Sequence, residues 1–415
     1  MKAAPRRQEL LIETVGGQGD GIAAGGVFTP FTLPGERILA EVEGERARLL
    51  ELLAASPDRV APACPHFGVC GGCALQHWAP APYLAWKVEQ VRLALARVRL
   101  ETEILPPFTA EPGSRRRLAL HARRVDGAVR LGLKERRTWR VAPIVHCPVA
   151  EPALSAALAG LAAVAAPFLE HPKSAPTLHV TSTLTGLDID ITGVEAKGGG
   201  PSAGARARAA EAARAADFAR VTLAGEILYQ SRAPMVRMGP AMLAPPPGAF
   251  LQAVAAAEEA MVDFALGVTQ GSRRIADLYC GLGAFTFPAS LSAPVIAADI
   301  AAPVIAAVRS AAGTASGSKG VRAEARDLDR RPLSARELAG VDSVIIDPPR
   351  AGAASQHREI ARSDCRAVVG VSCNPATFAR DARLLADAGF RLARVLPVDQ
   401  FLWSPHIELV SEFRR

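Results

Sequence analysis

Lysine is scarce in this chain of 415 residues: only Lys2, Lys87, Lys134, Lys173, Lys197 and Lys319 occur, so the net charge of +7 is carried by arginine. Alanine is heavily used alongside, and the arginine excess therefore reads as a compositional bias as much as a signal for a polyanionic partner. Long apolar runs are also missing. The uncharged stretch Ala153 to Leu169 is rich in alanine, contains Ser155 and Pro167, and predicts a packed helix and not a membrane span. At the N-terminus the basic residues lead into Leu10-Leu11-Ile12-Glu13, far short of the apolar core of a secretory signal. A folded cytoplasmic chain without a membrane partner is expected, too long for one core and suited to two or three domains.

What is present falls into three segments. Residues 1–55 alternate short apolar stretches with glycine turns, among them Gly16-Gly17-Gln18-Gly19-Asp20-Gly21 and Leu33-Pro34-Gly35-Glu36, the pattern of a small OB-like β-barrel. Residues 56–245 predict a central α+β unit. It has a helix over Tyr83 to Val98 with Leu84, Val88, Val91 and Leu95 on one face, strands at Thr177 to Thr181 and Leu187 to Thr192, a loop at Gly198 to Pro201, and a helix over Ala205 to Ala216. Its densest basic region runs from Arg115 to Arg140, interleaved with Leu118, Leu120, Leu131 and Leu133, and on a strand pair would project guanidinium groups toward phosphates.

The same unit holds Cys64, Cys70 and Cys73, separated by tight glycines, with Cys147 further on. In a cytoplasmic chain such thiols are metal ligands or catalysts before they are disulfides. Four thiolates suit a [4Fe–4S] cluster or zinc, and the spacing does not choose between them, although a second CxxC pair, the mark of a zinc ribbon, is lacking.

From residue 246 to 415 helix and strand alternate, which predicts a doubly wound α/β sheet of the Rossmann-like, class I methyltransferase type. Strands are expected at Arg274 to Tyr279, Val295 to Asp299, Val341 to Asp347 and Ala367 to Cys373, followed by an antiparallel pair, Leu392 to Val398 and Ile407 to Phe413. The first strand leads into Tyr279-Cys280-Gly281-Leu282-Gly283, and Asp299 ends the next strand eighteen residues after Gly281, where a ribose diol needs an acceptor. The third glycine of the dinucleotide fingerprint is absent, which favours S-adenosylmethionine over NAD. Two further strand ends carry Asp347-Pro348-Pro349-Arg350 and Ser372-Cys373-Asn374-Pro375, placing a thiol at the edge where open α/β sheets bind ligands.

Taken in order, Leu33 to Glu36, Cys64 to Cys73 with Leu75-Gln76-His77, Asp277 to Gly283, Asp347 to Arg350, Ser372 to Pro375 and His406 to Glu408 resemble the motifs of the RNA uracil-5-methyltransferases along nearly the whole chain. The resemblance implies an N-terminal TRAM barrel, a central domain with a [4Fe–4S] cluster on Cys64, Cys70, Cys73 and Cys147, and a class I catalytic domain. It further implies Cys373 as nucleophile, Glu408 as general base, and Gln252, Tyr279, Gly281, Gly283, Asp299, Asp327 and Asp347 around S-adenosylmethionine. Residue chemistry agrees with it. Carbon 5 of uracil becomes nucleophilic only after a thiolate adds at carbon 6, and a base must then remove the carbon 5 proton. Members that keep the cluster cysteines mostly act on large-subunit ribosomal RNA, so a 23S rRNA uridine is the expected substrate, tRNA the alternative, and a monomer the expected state.

The chain departs from the family pattern at Val254 and Ala284, where polar residues are usual, and at Asp299, where glutamate is common. Two other classes are weighed by single residues. A non-catalytic iron–sulfur RNA-binding protein would have no use for Cys373 and Glu408. An amino-group methyltransferase would carry an aromatic where Arg350 stands.

Overall fold

The computed structural model describes residues 5–171, 173–195 and 200–415, so Gly198 and Gly199 of the expected glycine loop lie outside the described residues. The first segment closes into a barrel of β1 (Arg6–Val15), β2 (Asp20–Ala23), β3 (Val27–Pro30), β4 (Arg37–Glu43) and β5 (Arg46–Ala54), in the order β1-β2-β3-β5-β4. Strand alternation turns Leu10, Ile12, Ile38 and Ala40 into its core. The Leu33 to Glu36 turn has type II character: Pro34 fixes the first corner, Gly35 adopts φ +82°, and the Glu36 N–H closes on the Leu33 carbonyl at 3.2 Å. The buried Glu36 carboxylate then pairs with Arg59 and ties the barrel to the segment after β5.

Next come α1 (Pro80–Arg97) and the two-residue strands β6 (Glu103–Ile104) and β7 (Phe108–Thr109). These segments, expected in the central unit, are built into the C-terminal one: β6 and β7 pair in parallel with the strand at Arg391–Asp399. Helix α1 is also rotated from its expected face. Tyr83, Trp86, Val91, Ala94 and Leu95 are buried, and Lys87 is buried with them, because its ammonium meets Asp399 at 2.5 Å.

The central unit is a sheet of β8 (Arg117–Val125), β9 (Ala128–Lys134), β10 (Val141–Pro143), β11 (Thr177–Thr183), β12 (Gly186–Thr192), β13 (Arg220–Leu223) and β14 (Glu226–Gln230), ordered β10-β9-β8-β11-β12-β13-β14. Helices α2 (Pro152–Ala156), α3 (Leu158–Ala165) and α4 (Ala203–Ala215) pack on it through Leu154, Leu161, Val164 and the alanines of α4. The stretch from Ala153 to Leu169 is thus not one helix. It breaks after α2 and ends in a 3-10 turn containing Pro167.

The arginines of this unit are not all free for phosphates. Arg116 donates to the Gln252 carbonyl at 2.9 Å and pairs with Glu258 at 2.8 Å, and Arg117 donates to the Leu251 carbonyl at 2.6 Å. Arg136 and Arg137 pair with the buried Asp20 of the barrel. Arg124, Arg130 and Arg140 are exposed but also engaged, Arg124 on the Gly127 and Ala166 carbonyls, Arg130 with Asp126 and Arg140 with Glu135.

The last segment adds the hairpin β15 (Val236–Met238) and β16 (Ala241–Leu243), then α5 (Ala255–Thr269), β17 (Ile275–Leu278), α6 (Thr286–Ser290), β18 (Val295–Asp299), α7 (Ala302–Ala312) and β19 (Val321–Ala325). It finishes with β20 (Ser343–Ile346), α8 (Ala354–Arg362), β21 (Ala367–Ser372), α9 (Pro375–Asp387), β22 (Arg391–Asp399) and β23 (Glu408–Arg414). The sheet order is β19-β18-β17-β20-β21-β23-β22-β6, with β7 also on β22. The strands from β19 to β21 are parallel, and β23 runs antiparallel between β21 and β22, as the short connection predicts. Val344, Ile345, Ile346, Val368 and Val369 are covered on both faces, which is why these strands read as continuous apolar runs. Strand order reverses between β17 and β20, so a crevice opens beyond their carboxyl ends.

Candidate active site

That crevice is a cavity of about 520 Å³. On one side the chain leaves β17 through Tyr279, held at φ +59°, and Gly281, at φ +51°. A Cβ at Gly281 would meet no atom within 4 Å, so the backbone here faces open space that a ligand can approach. Gly283 differs. It does not line the cavity, and a Cβ there would come within 2.7 Å of the Phe287 ring, so it serves the packing of the turn.

Asp299 accepts from the Gly281 N–H at 3.0 Å and the Ala301 N–H at 2.9 Å. Asp327 accepts from the Asp329 and Arg330 N–H groups, both at 3.1 Å. Asp329, which the sequence did not single out, receives the Tyr279 hydroxyl at 2.7 Å.

The opposite wall is made by the loops leaving β20 and β21, which are tied together. The Asn374 side chain donates to the Arg350 carbonyl at 3.3 Å, accepts from the Ala376 N–H at 3.1 Å, and so caps α9. Cys373 is therefore held at the start of α9, half-buried, beside Arg350 and two acids. Burial raises the Cys373 thiol above its ordinary range, Glu408 and Asp347 raise it further, and Arg350 opposes them.

Asp347 and Glu408 are themselves desolvated. Burial lifts Asp347 to about 7, with the charge of Asp299 adding to it. Burial lifts Glu408 to about 8, with Asp347 adding to it and the Gln400 amide pulling back. A base whose proton affinity lies near neutrality is poised for transfer in either direction. Asp277, wholly buried beneath the glycine turn, is likewise raised to about 7 by burial and is held by Thr286.

Of the residues expected around the reaction, Gln252, Tyr279, Gly281, Asp299, Asp327, Asp347, Cys373 and Glu408 all line this one cavity. Gln400 was missed. It is 2% exposed and bridges Glu408 and Gln252, and its only sequence signal is a polar residue directly after the Asp399 that ends β22.

Cys64, Cys70, Cys73 and Cys147 lie away from this cavity and near one another. Burial pushes the Cys73 thiol up to about 12, the Gln76 amide opposes, and the other three thiols add to the rise. The Gly72 N–H points at the Cys70 sulfur at 3.5 Å, and Cys64 is fixed by its own N–H on Gln76 at 3.0 Å. Among the described residues, however, no three histidine, cysteine, aspartate or glutamate side chains are arranged to hold a metal ion.

Residues 244–411 match the family described as tRNA (Uracil-5-)-methyltransferase. An uncharacterised RNA methyltransferase of Caulobacter vibrioides is 62% identical, covering 98% of this chain and 100% of its own. The 23S rRNA (uracil(1939)-C(5))-methyltransferase RlmD of Alkalilimnicola ehrlichii is 32% identical over 98% of this chain and 96% of its own. The crystal structure of Pyrococcus abyssi tRNA (uracil-54, C5)-methyltransferase with S-adenosyl-L-homocysteine shares the fold, with a TM-score of 0.74 at 22% identity over 98% of this chain and 100% of that one.

The electrostatics of the cavity generate a test. Asp347→Asn removes one of the charges that oppose the Cys373 thiolate, so the pH midpoint for alkylation of Cys373 by iodoacetamide, followed by peptide mass spectrometry, should fall by about one unit. An unchanged or higher midpoint would show that Asp347 carries no charge that the thiol feels.

Proposed function

The chain belongs to the RNA uracil-5-methyltransferase family, and from that premise we propose that it methylates carbon 5 of a uridine in 23S rRNA through a covalent adduct on Cys373. The observation that carries this reading is the convergence of Cys373, Glu408, Asp347 and Gln252 on the cavity that the glycine turn and Asp299 also line. The TRAM-like barrel and the exposed Arg124, Arg130 and Arg140 are its RNA-facing surface, and the target base is flipped out of the strand to reach the cavity.

Gln252, Tyr279, Gly281, Asp299, Asp327 and Asp347 would hold S-adenosylmethionine, with Gly283 shaping the turn. Bound there, it supplies a methyl group already activated on a sulfonium. The chain's own residues do the rest. The Cys373 thiolate adds to carbon 6, and the electron pair released onto carbon 5 makes that carbon the nucleophile toward the methyl group. Glu408 then takes the carbon 5 proton, the carbon 5–carbon 6 double bond reforms, and the thiolate leaves. Arg350 is the cation placed to favour the thiolate before attack.

The side chains of Cys64, Cys70, Cys73 and Cys147 are not arranged as a metal site here, and a [4Fe–4S] cluster is proposed on donor chemistry alone: four sulfurs near one another with an N–H directed at the Cys70 sulfur. Such a cluster would be structural, because the methyl transfer has no net electron flow. Anaerobic purification should give a brown protein with about four irons per chain; a colourless protein with one zinc would replace the cluster with a zinc centre.

The substrate is tested by single-turnover methylation with labelled S-adenosylmethionine, using transcripts of 23S rRNA and of tRNA. 5-Methyluridine should form in the rRNA, and Cys373→Ser should lower the rate by more than about 10³-fold. Label in tRNA alone would make tRNA the substrate, and label retained by Cys373→Ser would remove the covalent route.

A further inference from the structure

Gln400 follows the last residue of β22, and every polar atom of its side chain is engaged. Its Nε2 donates to Glu408 Oε2 at 3.0 Å and to Gln252 Oε1 at 2.9 Å, while its Oε1 accepts from the Ala253 N–H at 3.1 Å. Gln252 in turn donates from Nε2 to Asp347 Oδ2 at 3.3 Å. The four side chains Asp347, Gln252, Gln400 and Glu408 thus form one row from the loop after β20 to the start of β23.

The direction of this row is dictated by its middle. The Ala253 N–H can only donate, so the oxygen of the Gln400 amide must face it, and both N–H bonds of Gln400 must then point at acceptors. Flipping the amide would set two donors against each other in a buried site. Glu408 Oε2 is therefore an obligate acceptor, and no hydrogen bond engages Glu408 Oε1 among the described residues.

We propose that Gln400 is a positioning residue for the methyl-transfer reaction, holding the Glu408 carboxylate by Oε2 so that Oε1 is the oxygen that takes the carbon 5 proton. The assignment rests on the reading of Glu408 as the general base. In the step it serves, the carbon 5–hydrogen bond breaks, the proton goes to Glu408, and its electron pair forms the carbon 5–carbon 6 double bond as the carbon 6–sulfur bond breaks, that bond's pair leaving on sulfur as the Cys373 thiolate. Burial and the charge of Asp347 oppose the ionisation of Glu408, and the neutral Gln400 amide favours it; Cys373 beside it is a thiol that the Glu408 charge raises in turn. Removing the amide leaves Cys373 in place, releases the Gln252 amide and the Ala253 N–H that Gln400 also holds, and takes away the support for the ionised base.

Gln400→Met keeps the length of the side chain and deletes its donors. The variant and the wild type are mixed with S-adenosylmethionine and a 23S rRNA fragment containing ordinary uridine, then quenched over time from about pH 6 to about pH 9. Methyl incorporation and the covalent protein–RNA band on a denaturing gel are read together. With S-adenosylmethionine saturating for each protein, so that loosening of Gln252 does not limit the donor, methyl incorporation into the adduct should match the wild type. Resolution of the adduct should slow about tenfold at neutral pH, its midpoint displaced upward by about one unit, so that the covalent band accumulates. Retained stabilisation by S-adenosylhomocysteine and retained RNA affinity show that the variant is folded.

A wild-type pH profile without accumulation overturns the proposal. So does a pH-independent slowing of adduct formation, which is what a merely structural role would give. Glu408→Gln separates this failure from failure of the premise. It should hold the methylated adduct without release, and if it turns over normally, Glu408 is not the base and the positioning role falls with it.

Discussion

Asp347 and Glu408 are carboxylates buried at the same end of one sheet, and their shared desolvation is the constraint around which the catalytic segment is arranged. An isolated buried carboxylate is expensive, and two within electrostatic reach cannot both ionise freely. The fold meets this with neutral amides and not with cations: Gln252 donates to Asp347, and Gln400 donates to Glu408. A cation in that place would make the pair stable ion-pair acceptors, with proton affinities far below neutrality. Amides leave both acids able to exchange a proton near pH 7, which suits the base role proposed for Glu408.

The segment between β22 and β23 carries this arrangement and is anchored from outside the sheet. Asp399, just before Gln400, is fixed by Lys87 at 2.5 Å and by the Tyr83 hydroxyl at 2.7 Å, both from α1. The same hydroxyl accepts from the Trp403 N–H at 2.8 Å, and the Trp403 carbonyl accepts from the Ala74 and Leu75 N–H groups directly after Cys73. The cysteine-bearing loop is thus joined to the loop that precedes Glu408 by backbone hydrogen bonds, which gives the central cysteines a structural connection to the site without any electron transfer. From the other side Arg116 and Arg117 grip the carbonyls of Gln252 and Leu251, so the central unit also holds that wall of the cavity in place.

The parts of this fold that were legible in the sequence are those set by local pattern. Continuous β-branched runs marked β20 and β21, the short connection marked the antiparallel pair β22 and β23, and the glycine turn and Asp299 were found in the sequence as neighbours that the fold places on one wall of the cavity. What was not legible depends on partners far away in sequence. The burial of Lys87 follows from Asp399, 312 residues on, and without that partner a lysine rotates the expected face of α1 toward solvent. The Arg115 to Arg117 run reads as a phosphate-binding row until the backbone carbonyls near Leu251, 134 residues later, claim it. Strands β6 and β7 are two residues each and carry no periodicity to read. Gln400 is polar in an apolar neighbourhood, yet only the position of Glu408 across the β22–β23 connection gives it a purpose.

The central claim is a covalent bond between Cys373 and carbon 6 of the target uridine, and fluorine at carbon 5 tests it most directly because Glu408 cannot remove it as a proton. Purified protein, S-adenosylmethionine and an rRNA fragment containing 5-fluorouridine should give a band of lower mobility on a denaturing gel, dependent on the methyl donor and absent in Cys373→Ala. A folded, cofactor-binding protein that methylates uridine in RNA yet forms no such band, or forms it equally well as Cys373→Ala, would contradict the account.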